Sequence, residues 1–295
     1  MLTLHYEHWP KISKSLKVPS TSLYDNLKVS ASRYPDQDAM YYYGKKHSYQ
    51  DLDREVNALA GYLQHKLAVV SGEKVLLFMQ NSPQFVIGYY AILRANAVVV
   101  PINPMLTTEE LEFYVRDCEI KTALLGQELY DRVQPLLGPT TLENLIIAAY
   151  SEYKGNEFDG MLPPEVEMER MVFTQPNHTS WWDAIQANLT PCEHSSKGDD
   201  LAVLPYTSGT TGLPKGCMHT NRTVQANTVG AYYWSRTTPN AVHLMALPLF
   251  HVTGMVHSMH MPIYSGRMMN KKAHLKFRFK MLRRIKNPEL FTYLK

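Results

Sequence analysis

The stretch from Tyr206 to Gly216 constrains this 295-residue chain more than any other. It follows an apolar segment, residues 201–204, and precedes a helical pattern that begins near His219. Its three glycines allow positive φ and close backbone approach, so main-chain N–H groups can point at an anion. Serine and threonine hydroxyls add donors, and Lys215 adds a positive charge. The stretch therefore predicts a strand–loop–helix turn that binds a polyphosphate.

The spacing of this stretch differs from that of the common nucleotide-binding loop, which has one glycine, four further residues and then Gly-Lys-Ser/Thr. Here Gly209 and Gly212 are three residues apart, and Gly216 follows the lysine where serine or threonine is expected. A bare pair of glycines is also compatible with a polar loop without function. The complete string resembles the phosphate-binding signature of the adenylate-forming superfamily: acyl-CoA synthetases, coumarate–CoA ligases, firefly luciferase and the adenylation domains of peptide synthetases.

Composition places the chain among globular proteins, with 45% apolar and 19% charged residues. The three cysteines, Cys118, Cys192 and Cys217, are odd in number and lack metal-ligand spacing, which predicts a reducing compartment. The first residues show no basic region followed by an apolar stretch, and no apolar run approaches the length of a membrane span. We therefore expect a cytoplasmic protein without a signal peptide or transmembrane segment.

Apolar runs of strand length alternate with helical stretches along most of the chain. Ser48 and Asp51 predict the cap of one helix, and Pro83 predicts the first turn of another. The strand-like runs are continuously apolar and cover residues 75–79, 98–101, 122–125, 145–148 and 242–247. Such runs are typical of parallel sheet covered on both faces. The pattern predicts an α/β fold, interrupted at residues 150–180 by an acidic, proline-containing surface excursion.

The resemblance extends over residues 25–267 and rests on further blocks beside the phosphate loop. These blocks are residues 41–52, 81–85, 97–104 and 247–254. They imply the incomplete N-terminal domain of an adenylate-forming enzyme, with parallel-rich sheets and helices on both faces. We accordingly expect an N-terminal lead (1–24), a partial AMP-binding N-terminal domain (25–267) and a basic divergent tail (268–295), with the family's C-terminal lid domain absent.

The resemblance implies that a carboxylate attacks the α-phosphate of ATP, that pyrophosphate leaves, and that the thiol of coenzyme A attacks the acyl-adenylate. It implies ATP, Mg²⁺ and coenzyme A as co-substrate, with a fatty acid as the carboxylic acid. The implied phosphate-binding residues are Thr207, Ser208, Gly209, Thr210, Thr211, Gly212, Lys215 and Gly216. Their N–H groups and hydroxyls would hold the β- and γ-phosphates, Lys215 would act catalytically by adding charge there, and Mg²⁺ would bridge the phosphates.

His251 is the second candidate catalytic residue. Its apolar neighbours are also compatible with a core histidine, whereas the resemblance of residues 247–254 places its ring near the substrate carboxylate. His257 and His260 stand three apart without a third ligand, so no metal site is predicted. Met255, Met259 and Met261 are expected to pack against each other or against an acyl chain. Trp181 and Trp182 are expected to pack in the core or between domains.

Residues 268–295 break the composition of the chain. They carry nine Lys or Arg against the single acid Glu289, a net charge of +8, while the preceding residues carry −5. Three interpretations remain open: a basic stripe that binds nucleic acid, a membrane-surface helix, or a continuation replaced by a frameshift or premature stop. No recognisable nucleic-acid module accompanies the stripe, so we expect no nucleic-acid partner but retain peripheral membrane contact through the tail.

The family pattern stops after Arg267. The resemblance would require an aromatic-Gly-x-Thr-Glu block, a ribose-binding aspartate and a lid lysine, and residues 268–295 contain none of them. We therefore expect a truncated chain with impaired activity and low solubility. Three functional interpretations stay open: an active ligase, alone or complemented by a C-terminal fragment; a nonenzymatic nucleotide-binding remnant; and an adenylation module that loads a carrier protein.

Overall fold

The computed structural model describes residues 15–207, 212–238 and 240–270. Its α-helices are α1 Leu23–Arg33, α2 Tyr49–His65, α3 Pro83–Arg94, α4 Thr108–Asp117, α5 Tyr130–Val133, α6 Pro164–Glu167, α7 Trp181–Gln186, α8 Asn221–Ser235, α9 Val252–Gly254 and α10 Met261–Ser265. A π-helical turn, Met255–His260, joins α9 to α10, and 3₁₀ turns cover Gln127–Leu129, Gln134–Leu136 and Tyr150–Tyr153. Within these three ranges, no helix is long and apolar enough to cross a membrane.

The strands belong to two larger sheets and one short hairpin. In chain order they are β1 Asp38–Tyr42, β2 Lys45–Ser48, β3 Lys74–Phe78, β4 Val98–Pro101, β5 Thr122–Gly126, β6 Asn144–Ala148, β7 His178–Ser180, β8 Leu201–Val203, β9 Tyr206–Thr207, β10 Lys215–Gly216, β11 His219–Thr220, β12 Val242–Leu244 and β13 Met268–Asn270.

The long helices begin where local capping chemistry favours them. At α2, the Ser48 hydroxyl accepts a hydrogen bond from the Asp51 backbone N–H, and the Asp51 carboxylate accepts the Ser48 N–H in return. Pro83 occupies the first turn of α3, where its missing N–H would have no partner within the helix. The predicted starts of these two helices are confirmed.

Seven strands form the main sheet in the order β11-β8-β4-β3-β5-β6-β7. All neighbouring pairs are parallel except β11 with β8 at one edge. The chain passes from β3 to β4 on one side and then to β5 on the other side of β3, so the strand order reverses beside β3. In open α/β sheets, ligands bind beyond the carboxyl ends of the strands near such a reversal.

The main sheet divides the core into two layers. In β3, Val75 and Leu77 belong to one hydrophobic cluster, whereas Leu76 and Phe78 belong to the other, and all four are fully buried. The first cluster includes residues of α2 and α3, and the second includes residues of α4. Burial on both faces explains why these strands are continuously apolar. The predicted α/β fold with helices on both faces is confirmed.

A second sheet has the order β12-β13-β1-β2, in which β13 runs parallel to both β12 and β1. Strand β13 contains residues 268–270, the first residues of the predicted basic tail. Residues 271–295, with the lysines and arginines of that tail, lie outside the described residues. At the other end, α1 begins at Leu23 and so crosses the expected limit after residue 24. The expected domain limits remain predictions.

The excursion at residues 150–180 is tied to the body of the molecule by Tyr153. Its Oη donates a 2.6 Å hydrogen bond to Oε2 of the buried Glu55 and accepts one of 3.1 Å from Nε1 of Trp181. Trp181 is fully buried, as predicted for core packing. Farther along the excursion, Met161 and Val172 are 97% and 85% exposed, which agrees with a surface segment.

Candidate active site

The phosphate loop predicted from the sequence is closed by a hairpin. Strand β9 pairs antiparallel with β10, so Thr207 lies opposite Lys215 and Tyr206 lies opposite Gly216. Residues directly opposite each other in an antiparallel pair project their side chains to the same face. The Thr207 hydroxyl and the Lys215 ammonium therefore occupy one side of the hairpin. Four of the predicted phosphate-binding residues lie outside the described residues: Ser208, Gly209, Thr210 and Thr211.

The hairpin leaves the carboxyl end of the main sheet. Val203 of β8 pairs in parallel with Val99 of β4, and the N–H of Leu204 donates to the Val99 carbonyl at 2.9 Å. On the return side, the N–H of Cys217 donates to the Pro205 carbonyl at 2.8 Å. Both stems of the loop are thus fixed at the edge where α/β proteins bind their ligands.

Two described glycines of the hairpin serve different purposes. Gly212 adopts a φ of +152°, a conformation that side chains disfavour, and a Cβ there would meet no atom within 4 Å. Glycine is therefore needed at this position for its backbone conformation and not for space, as expected where a backbone turns its N–H groups toward an anion. Gly216 instead makes room, because a Cβ would lie 3.2 Å from Cζ of Tyr206.

A cavity of about 590 Å³ lies beside the hairpin and brings the two predicted sites together. Thr207 lines it from the phosphate loop, and His251 lines it from the segment before α9. Lys215 and Gly216 are exposed, and their neighbours Pro214 and Cys217 reach the cavity. The other lining residues are Pro101, Ile102, Asn103, Leu106, Glu110, Tyr114, Pro205, Tyr206, His219, Phe250 and Val252.

His251 is exposed toward this cavity, so the alternative of a core histidine is wrong. It caps α9, and its Nδ1 accepts a hydrogen bond from the N–H of Thr253 at 3.3 Å. With Nδ1 as the acceptor, the neutral ring carries its hydrogen on Nε2. His251 can therefore donate a hydrogen bond from Nε2 to an anionic oxygen.

The segment that carries His251 is held from two directions. Asn81, at the carboxyl end of β3, donates from Nδ2 to the Leu247 carbonyl at 2.7 Å and accepts the Leu249 N–H at 2.8 Å. Gly254 packs directly against the same turn, because a Cβ there would lie 2.0 Å from the Pro248 carbonyl oxygen. These contacts fix the backbone on both sides of His251.

A second cavity, of about 490 Å³, lies between α8 and the helical segment that begins at Val252. Its lining is mostly small or apolar: Ala226, Asn227, Gly230, Ala231, Trp234, Val252, Thr253, Val256 and His257. Val252 lines both cavities, so the second cavity adjoins the first next to His251. The first cavity carries the polar side chains of Thr207 and His251 on a largely apolar wall, and the second cavity extends it past Val252.

The two histidines of the π-helical turn do not face a common ligand. His257 is exposed, whereas His260 is fully buried and hydrogen-bonds through Nδ1 to Tyr90 Oη (2.7 Å) and through Nε2 to Tyr89 Oη (3.1 Å). Burial lowers the pKa of His260 to about 3, so the ring is neutral at physiological pH. Met255 and Met259 are buried in the main core, in agreement with packing. Among the described residues, no group of three or more side chains could hold a metal ion.

The described part of the first cavity is large enough for the polyphosphate of a nucleotide. Its volume falls within the range of ligand pockets, about 300–1,000 Å³. Glu110 is the one carboxylate among the described lining residues, and its Oε2 accepts the N–H of Thr107 at 2.9 Å. The described lining contains no Lys or Arg, so positive charge for a polyphosphate would come from the exposed Lys215 beside the cavity and from Mg²⁺, which phosphate oxygens would chiefly hold.

Sequence reasoning assigned no individual role to Asn81, Tyr114 or Tyr206. Asn81 holds the segment 245–249 because β3 ends beside it. The hydrogen-bonded residues are more than 160 positions apart in the sequence. Tyr114 and Tyr206 line the cavity together. An aromatic residue directly before the glycine-rich loop was the available signal for Tyr206, whereas α4 gave none for Tyr114.

Comparison with known proteins identifies a family for this chain. A family model described as AMP-binding enzyme matches residues 27–287. The long-chain-fatty-acid–CoA ligase of Bacillus subtilis (strain 168) is 30% identical over 263 residues, which cover 86% of this chain and 47% of that protein. The long-chain-fatty-acid–CoA ligase of Escherichia coli O6:H1 is 29% identical over 246 residues, 78% of this chain and 43% of that protein.

Structural comparison shows the same fold. The crystal structure of a long-chain-fatty-acid–CoA ligase from Archaeoglobus fulgidus superposes with a TM-score of 0.72 at 23% identity, covering 93% of this chain and 52% of that one. The chain spans about half the length of the curated relatives it matches. The family match includes both the phosphate-loop hairpin and His251. This chain therefore belongs to the AMP-binding enzyme family, the family of adenylate-forming acid–CoA ligases.

Proposed function

We propose that this chain binds ATP and a fatty acid and joins them as an acyl-adenylate, the first half-reaction of an acid–CoA ligase. The observation that carries the proposal is that the phosphate-loop hairpin and His251 line one cavity. An enzyme that activates a carboxylate must bring it to the α-phosphate while it holds the leaving pyrophosphate in line. One chamber with a phosphate loop at one wall and a donor at the other meets that requirement.

Thr207 and Lys215 act on the leaving pyrophosphate in this proposal. They share one face of the hairpin, and Lys215 is exposed rather than buried among other side chains. Negative charge accumulates on the β-phosphate as its bond to the α-phosphate breaks. Donors and a cation already in place stabilise that charge without reorganising. The loop residues 208–212 would contribute their N–H groups to the same task.

His251 orients the carboxylate rather than removing a proton. A carboxylic acid with an ordinary pKa is ionised at neutral pH, so its oxygen attacks without the help of a base. The Nδ1 of His251 is occupied by the N–H of Thr253, which directs the hydrogen-bearing Nε2 to other partners. A hydrogen bond from Nε2 to the carboxylate or to an α-phosphate oxygen would hold the two reactants in register.

The apolar cavity beside Val252 supports a fatty acid as the substrate. Small residues of α8, including Ala226, Gly230 and Ala231, leave space for a hydrocarbon chain, and Trp234 adds an aromatic wall. Burial of each methylene group stabilises binding by about 0.8 kcal/mol. The printed names of the bacterial relatives point to the same class of acid.

Thioester formation is proposed for the whole protein, with coenzyme A as the acceptor and Mg²⁺ on the phosphates. The chain spans about half the length of its curated relatives. Because the three thiols are free, we also retain the cytoplasm as the proposed compartment. No observation on the described residues favours a carrier protein over coenzyme A.

Exchange of labelled pyrophosphate into ATP tests the proposal, with octanoate, laurate and palmitate as candidate acids. We expect exchange that requires a fatty acid and that falls by about 10- to 100-fold in Lys215→Ala. The matched control is Lys121→Ala, an exposed lysine that precedes β5 at the opposite, amino end of the sheet. Binding of ATP without exchange for any acid would favour a nonenzymatic nucleotide-binding protein, and absence of both would contradict the proposal.

A further inference from the structure

Tyr206 links the phosphate-loop hairpin to helix α4. Its Oη donates a short hydrogen bond to Oδ2 of Asp117, the last residue of α4, and lies 2.9 Å from Sγ of the buried Cys118. Tyr206 is also the first residue of β9, directly opposite Gly216. One side chain therefore connects the base of the loop to a helix that is separated from it by about ninety residues of sequence.

The half-buried ring of Tyr206 lies between α4 and the opposite strand of the hairpin. Tyr114 of α4 meets it edge-to-face, with ring centroids 4.6 Å apart and planes at 89°, and Phe113 lies beyond at 6.4 Å. On the hairpin side, a Cβ at Gly216 would lie 3.2 Å from the Tyr206 ring. Tyr114 packs against the ring on one side and Gly216 leaves room for it on the other, so the hydroxyl reaches Asp117 at the end of α4.

The hydrogen bond from Tyr206 stabilises a carboxylate at an unfavourable position, because Asp117 is the last residue of α4. A carboxylate in the last turn of a helix faces the negative end of the helix dipole, which is unfavourable. A neutral hydroxyl donor offsets that cost. Burial, together with Asp117 and Cys118, raises the pKa of Tyr206 far above its usual value, so the phenol remains a donor over the whole physiological range.

We propose that Tyr206 is a positioning residue that holds the phosphate-loop hairpin against α4 and thereby sets the affinity of the site for polyphosphate. Tyr206 is joined in register to Gly216, and the next pair of the ladder is Thr207 with Lys215. A shift of the hairpin away from α4 would move both phosphate-facing side chains together. The inference rests on the proposed function, because polyphosphate is the ligand that this loop is proposed to hold.

The test compares three ligands that differ in their phosphates: ATP, pyrophosphate and AMP. AMP lacks the β- and γ-phosphates that the loop is proposed to bind. A change confined to the loop therefore leaves the affinity for AMP unchanged, whereas general destabilisation of the protein lowers it. Tyr206→Phe removes the hydroxyl and keeps the ring. We expect affinity for ATP and pyrophosphate to fall by about fivefold to tenfold, with affinity for AMP unchanged. Asp117→Ala, which removes the acceptor, should weaken binding in the same way, and the double variant should add little.

Tyr24→Phe is the matched control. Tyr24 Oη donates to Oδ1 of Asp53 at 3.2 Å, in a contact between α1 and α2, so the variant loses a tyrosine–aspartate hydrogen bond outside the cavity. Its affinity for all three ligands should equal that of the unmodified chain. Unchanged ATP affinity in Tyr206→Phe would overturn the inference, and so would an equal loss for AMP.

Hydrogen exchange of the hairpin without nucleotide separates this inference from the proposed function. We expect the peptide covering residues 206–217 to exchange faster in Tyr206→Phe than in the unmodified chain, and at the same rate in Tyr24→Phe. If the unmodified chain binds none of the three ligands, the proposed function is contradicted, and the exchange rates alone then decide whether Tyr206 holds the hairpin. Equal exchange rates in Tyr206→Phe and in the unmodified chain would show that Tyr206 does not hold the hairpin against α4.

Discussion

The side-chain amide of Asn81 hydrogen-bonds the backbone of Leu249, in the segment that follows the end of β12. Its Oδ1 accepts the Leu249 N–H at 2.8 Å, while its Nδ2 donates to the carbonyls of Leu247 (2.7 Å) and Met245 (3.4 Å). Leu249 is fully buried, and His251 follows two residues later. One asparagine at the end of β3 thus fixes the approach of the segment that carries a candidate catalytic residue.

Asn81→Ala should destabilise the protein by about 1–3 kcal/mol, because it leaves the N–H of Leu249 without its partner. Urea denaturation measures the loss, and hydrogen exchange of residues 245–252 shows whether it is local. The control Asn177→Ala removes a hydrogen bond of 2.6 Å to the Glu143 carbonyl at the far edge of the sheet. Exchange in residues 245–252 should not change in the control. Equal exchange in both variants would show that Asn81 does not hold this segment.

Gly254→Ala should destabilise the protein by about 1–3 kcal/mol, since its Cβ would lie 2.0 Å from the rigid Pro248 carbonyl oxygen. Gly230→Ala is the matched comparison within α8, where a Cβ would meet only Cδ1 of Leu16 at 4.0 Å. Removing a helical glycine there should stabilise by about 0.5–1 kcal/mol. Thermal or urea denaturation of the two variants measures both effects. Equal stability of Gly254→Ala and the unmodified chain would contradict the close approach.

Local chemistry explains what the sequence could predict. The capping pair Ser48–Asp51 and the Pro83 turn each depend on residues within one turn of helix, and both starts were found. The continuously apolar runs predicted parallel strands because both faces of the main sheet are buried. The loop that begins at Thr207 was recognised because its glycines and hydroxyls are adjacent in the chain.

Contacts between distant residues explain what the sequence could not predict. The apolar run 242–247 predicted one strand, but β12 ends at Leu244, because the carbonyls beyond it turn to Asn81. The shared cavity of Thr207 and His251 likewise depends on the pairing of β8 with β4. The hydrogen bond from Tyr206 to Asp117 joins β9 to α4, and no local sequence pattern predicts that these two elements are in contact.

Stability should fall in acid partly because of His260. Its pKa is about 3 in the fold, below the ordinary value of 6.5, since burial disfavours the charged ring. The unfolded chain therefore binds the proton first, and the contribution of this residue is lost as pH falls from 6.5 toward 3. The expected slope is about 1.4 kcal/mol per pH unit within that window.

His260→Gln keeps polar partners for the hydroxyls of Tyr89 and Tyr90 but does not titrate. The difference in unfolding free energy between this variant and the unmodified chain should change with pH between 6.5 and 4.5. His257→Gln serves as the control, because His257 is exposed on the same helical turn. Parallel pH profiles of unfolding free energy for His260→Gln and the unmodified chain would show that the fold does not lower the pKa of His260.

Glu128 should have the opposite pH dependence. Burial raises its pKa to about 7, above its ordinary value of 4.5, although its Oε1 accepts a hydrogen bond from Tyr150 Oη at 3.0 Å. The folded state then binds the proton more tightly, so stability is lost as pH rises from about 4.5 through 7. Glu128→Gln should gain stability relative to the unmodified chain across this window, whereas the exposed Glu143→Gln should not. A constant difference at all pH values would contradict the raised pKa.

One chamber is lined by both the phosphate-loop hairpin and His251. A non-hydrolysable acyl-sulfamoyl-adenosine, which mimics the acyl-adenylate, tests it most directly through hydrogen exchange of the complex. We predict that the mimic protects residues 206–217 and 247–257 at the same ligand concentration, and that lengthening its acyl chain increases protection of residues 226–234 beside the second cavity. Protection of only one of the first two segments, or of neither, would contradict a shared site.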